Sequence, residues 1–171
     1  MKIAVPAETD KQEPRVAATP DTVKKFIALG AEVSVQAGAG AASRYPDAEF
    51  KDAGATIAKT ADATMKDADI VLRVRRPSAA DAKKMKKGAV VIAIMDPYGN
   101  EAALTELAGA GVSAFAMELM PRITRAQVMD VLSSQANLAG YRAVIDAAAD
   151  YDRAFPMMMT AAGTVPAARV F

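Results

Sequence analysis

Between positions 122 and 137 the sequence gathers Arg122, Thr124, Arg125, Gln127, Asp130, Ser133, Ser134, Gln135 and Asn137, inside the run MELMPRITRAQVMDVLSSQANLAGYRAV. Guanidinium, carboxamide, carboxylate and hydroxyl groups spaced this closely can orient a polar ligand, and loops held by rigid elements often carry such work. Plain helix capping explains some of them: Thr124 with Gln127 forms a capping box for a short helix, and Ser134 caps a longer one. Arg122 and Asp130 are left over, and their opposite charges can pair to fix the loop. More amide and hydroxyl groups also remain than capping consumes.

A second concentration is basic. In VLRVRRP, Arg73 and Arg75 share one face of a strand and Arg76 lies at its carboxyl end. Ligands in open α/β sheets bind beyond the carboxyl ends of strands, so Arg75 and Arg76 stand where a carboxylate or phosphate would dock. The alternative is an edge strand with solvated arginines. Arg15, in EPRVAATP, is either a third cation at the same cleft or an ordinary loop charge. QAGAGAAS supplies Gly38 and Gly40 but places Ser43 where a dinucleotide fingerprint needs its third glycine, so it reads as a turn. The lysine run at 83–87 reads as a solvated helix end, and Met157, Met158 and Met159 as adaptable packing.

These groups need a scaffold. Apolar runs of strand length recur at 2–6, 32–36, 69–74, 89–95 and 113–118, separated by segments with helical period. That alternation predicts an α/β fold: three layers, with a mostly parallel sheet covered by helices on both faces, flavodoxin-like or Rossmann-like. The first helix is sharply marked. Thr19 caps it, Pro20 takes the first turn, Val23, Phe26 and Ile27 form its apolar stripe, and Gly30 ends it. Further helices are expected at 47–53, 62–67, 79–86 and 101–108. The last runs from about 134 to 152, where Leu138, Tyr141, Ile145, Ala148 and Tyr151 mark one buried stripe.

Composition limits the chemistry. With 21 basic and 20 acidic side chains the formal charge is +1, so no global field favours nucleic acid. Histidine and cysteine are both absent, which removes the commonest general base, the commonest zinc ligand and any disulfide. No metal site is expected. The run AVVIAIM is far too short to cross a bilayer, so direct membrane insertion is not expected and a cytoplasmic location is.

Four stretches together resemble a known family: MKIAVPAET through QAGAG, ADIVLRVRRP, the segment at 117–144, and RAFPMMMTAAGTVPAARV. They are similar to the N-terminal domain of the alanine dehydrogenase and proton-translocating nicotinamide nucleotide transhydrogenase family, over essentially the whole chain. The resemblance implies an N-terminal α/β domain over 1–165. It further implies that 166–171, whose ARVF opens as a strand, begins a Rossmann domain that is absent here.

The family has two branches. In alanine dehydrogenases an arginine and a lysine hold pyruvate and a histidine moves the proton. Arg15 matches that arginine, but Arg75 stands at the lysine position and Asp96 at the histidine position. The transhydrogenase branch needs no proton carrier, because hydride passes directly between two nicotinamide rings. The resemblance therefore implies the NAD(H)-binding alpha subunit of a transhydrogenase. There Arg122, Gln127, Asp130 and Ser133 form the cofactor-binding set, with Gln127 and Asp130 acting in catalysis. Arg122 would orient the carboxamide, Asp130 would hold Arg122, Ser133 would add a hydrogen bond, and Gln127 would reach toward the second nucleotide. NADP(H) would sit on a partner domain, the subunit would form a homodimer, and the assembly would be peripheral to the inner membrane. An alanine-dehydrogenase-like enzyme, or an interaction module that kept only the fold, are the alternatives.

Overall fold

The computed structural model describes residues 1–169. Its contacts divide the chain into two compact units, Met1–Pro121 and Arg122–Phe171.

The first unit is the expected α/β layer structure. Strands β1 (Lys2–Val5), β2 (Glu32–Gln36), β3 (Thr56–Ala58), β4 (Ile70–Arg75), β5 (Val90–Ile94) and β6 (Ser113–Ala116) form one sheet in the order β3-β2-β1-β4-β5-β6. Every pairing is parallel, with Ile3 opposite Val33 and Val5 opposite Val35. The helices are α1 (Pro20–Ala28), α2 (Asp47–Asp52), α3 (Ala61–Met65), α4 (Ala79–Ala82) and α5 (Glu101–Gly109).

Strand alternation divides the core between the two faces. Ile3, Val5, Val33 and Val35 pack with Val23 of α1 and Phe50 of α2. Ala4, Val71, Val91 and Ala93 pack with Met65 of α3, Ala82 of α4 and Leu107 of α5. A sheet buried on both sides needs strands that are apolar throughout, which is why the sequence runs read as continuous rather than alternating. Each fully buried valine or methionine contributes about 1.5–3 kcal/mol relative to exposure.

The first helix begins as its sequence dictates. The Thr19 hydroxyl accepts from the Thr22 N–H, Pro20 occupies the first turn, and Gly30 closes the helix at φ +84°. Strand β3, which the apolar runs do not reveal, is a three-residue edge strand and too short for a periodic signal.

The second unit comprises a 3-10 turn at Thr124–Met129, the long helix α6 (Val131–Asp150), and the antiparallel hairpin of β7 (Met158–Thr160) and β8 (Gly163–Val165). Helix α6 starts at Val131, earlier than expected, because Asp130 rather than Ser134 caps it. The expected buried stripe is not buried: no residue of α6 is, and Leu138 and Tyr141 are 57% and 69% exposed. A helix of this length runs about 30 Å, and its own unit offers only a turn and a short hairpin. Met157, Met158 and Met159 are likewise exposed on that hairpin rather than packed. The expected terminal strand at 169–171 falls largely on Val170 and Phe171, which lie outside the described residues.

Candidate functional site

In a parallel sheet the last N–H groups of each strand have no strand partner and need another acceptor. Here the chain supplies its own. The Gln36 side-chain carbonyl accepts from Ala7 N–H just past β1, at 2.9 Å. The Glu8 carboxylate accepts from Val74 and Arg75 at the end of β4, at 2.7 and 3.3 Å, where the β4–β5 register shifts. The Glu118 carboxylate accepts from Met95 and Asp96 beyond β5. Strand order reverses between β1 and β4, so this is the crevice where open α/β sheets bind ligands.

The expected arginines converge there, but on internal partners. Glu13 is buried, and its carboxylate accepts from Arg15 Nε and Nη2 at 2.6 and 2.7 Å and from Arg75 Nε at 2.8 Å. Hydrogen bonding from the Arg15 guanidinium is the main reason its pKa falls to about 2, burial opposing and Arg75 adding to the effect. Arg73, only 5% exposed, meets Asp81 of α4 at 2.9 Å and Glu8 at 3.6 Å. Arg76 donates to the Met95 and Asp96 carbonyls and to Asn100. Arg75, still exposed, and Arg76 are thus engaged by internal partners rather than standing as free anion receptors, and β4 is an interior strand, not an edge.

Asp96 sits at φ +48°, a conformation L-residues adopt reluctantly. Arg76, Asn100 and Glu118 hold that turn from three sides. Beside the crevice a cavity of about 230 Å³ is lined by Glu8, Asp10, Lys11, Glu13, Arg15 and the 38–42 turn. The Gly38 and Gly40 stretch is a turn, as expected. A Cβ on Gly40 would lie 2.7 Å from both Phe50 Cε2 and the Tyr45 carbonyl, so packing rather than phosphate binding requires the glycine. The lysine run is solvated, with Lys84 on Asp62 and Lys86 on Asp69.

The polar cluster of the second unit is built on the start of α6. Asp130 Oδ1 accepts from Ser133 N–H at 2.9 Å and Oδ2 from the Ser133 hydroxyl at 2.6 Å. Its main-chain carbonyl accepts from the Ser134 hydroxyl at 2.8 Å. The Ser133 hydroxyl and N–H hold the Asp130 carboxyl below its ordinary pKa, with the more distant Arg122 charge a smaller cause.

Two expectations about this cluster are corrected. No ion pair or hydrogen bond joins Arg122 to Asp130 among the described residues; both carboxylate oxygens accept from Ser133, and Arg122 acts on the carboxylate only as a more distant charge. The Thr124 and Gln127 capping box does not form either: Thr124 lies inside the 3-10 turn, and the preceding residue is Ile123, which has no side chain able to cap. Arg122, Gln127 and Ser133 are exposed. Glu8, Glu13 and Glu118 are site residues that the sequence reading does not single out. The available signal is position, since each acidic residue follows a strand or precedes an arginine, but only the fold says which N–H groups lack partners.

A family model described as "Alanine dehydrogenase/PNT, N-terminal domain" matches residues 4–139. The chain is 51% identical to the first component of the NAD(P) transhydrogenase alpha subunit of Rhodospirillum rubrum, over 99% of this chain and 46% of that protein. It is 34% identical to the alanine dehydrogenase of Mycobacterium tuberculosis, over 82% of this chain and 37% of that protein. The crystal structure of transhydrogenase from Sinorhizobium meliloti superposes with a TM-score of 0.93 at 62% identity, covering 98% of this chain and 50% of that one. The chain therefore spans half or less of the length of the relatives it matches.

Proposed function

Because the chain belongs to the alanine dehydrogenase/PNT N-terminal domain family, we propose that it is the N-terminal part of the NAD(H)-binding alpha subunit of a proton-translocating transhydrogenase. What carries this reading is the residue pair that separates the branches. By the family resemblance, Arg75 and Asp96 stand at the positions of the lysine and the histidine with which alanine dehydrogenases hold the 2-oxo acid and move its proton. The higher identity to a transhydrogenase subunit, 51% against 34%, points the same way.

In this reading residues 1–165 form the N-terminal domain and 166–171 lead into a Rossmann domain that supplies the pyrophosphate site. NADP(H) sits on a partner component, the subunit pairs as a homodimer, and the assembly lies at the cytoplasmic face of the inner membrane.

The donor set at the start of α6 fits a nicotinamide. The exposed Arg122 guanidinium and Gln127 amide are free of capping duties, and Asp130 and Ser133 are fixed to the helix start. NAD(H), when bound, supplies the hydride. Arg122 holds the carboxamide oxygen, Ser133 takes a second hydrogen bond, and Asp130 positions Ser133 rather than Arg122. Gln127 extends toward the second nucleotide and sets the approach of the two rings, which governs rate because small misplacements are costly.

The test of the branch is substrate range. The complete polypeptide should not oxidise NADH when given pyruvate and ammonium. Turnover of about 1 per second or more, ordinary for an enzyme, would return the chain to the alanine dehydrogenase branch.

A further inference from the structure

We draw no further inference here: the strongest candidate, the apolar row that Leu72, Ile92 and Phe115 form in register across β4, β5 and β6, is half-buried to exposed sheet face, and nothing in the structure shows what covers it.

Discussion

Gln127 is exposed, and only its main chain takes part in the start of α6, its carbonyl accepting from Asp130 N–H. Alanine keeps that backbone bond, so Gln127→Ala should leave the melting temperature unchanged. If the side chain sets the approach of two nicotinamide rings, hydride transfer in the complete enzyme should fall at least about tenfold, with NADH affinity far less affected. Stopped-flow transfer measured beside NADH titration reads both, and native transfer rates in the variant would dismiss the role. Glu13 is the residue whose environment most alters its chemistry. Its pKa is lowered from 4.5 to about 2, so its contribution to folding is complete above pH 4.5 and is lost as pH falls toward 2. Acid unfolding followed by circular dichroism should show native stability declining through that window and a flatter profile in Glu13→Gln. Equal slopes for the two proteins would mean that the Arg15 and Arg75 contacts do not differ between folded and unfolded states.

The turn after β2 depends on a glycine for space. Gly40→Ala brings a methyl group to 2.7 Å from the Tyr45 carbonyl and the Phe50 ring, and the backbone atom cannot swing aside as a side chain can. Overpacking of this kind costs about 1–3 kcal/mol, measurable by urea denaturation, and a change below about 0.5 kcal/mol would contradict the packing account. Among the elements, legibility in the sequence follows locality. Helix α1 is readable because its cap, first-turn proline, stripe and terminal glycine are neighbours in the chain. Five of the six sheet strands are readable as apolar runs, and β3 is not, being three residues at an edge. The stripe on α6 is legible as a period but its burial is not, since period reports which face is apolar and not what covers it. At the candidate site the residue types are legible while their pairings are not. In sequence Asp130 is within reach of both Arg122 and Ser133, and helix geometry gives it to Ser133.

At the scale of the molecule, the first unit closes its own crevice. Glu8, Glu13, Gln36 and Glu118 occupy the donors that a bound anion would otherwise use at the switch point. The exposed cluster at the start of α6 is left as the better candidate for nucleotide contact, which agrees with a glycine turn that lacks a dinucleotide fingerprint. The chain spans half or less of its relatives' length. The most direct measurement combines the complete polypeptide with its NADP(H)-binding component and supplies NADH and NADP⁺, with no 2-oxo acid or ammonium, while NADPH formation is followed in a single turnover. NADPH should form, at a rate that Gln127→Ala lowers at least about tenfold. No NADPH from components that each bind their nucleotide, together with NADH oxidation only when pyruvate and ammonium are added, would contradict the transhydrogenase assignment.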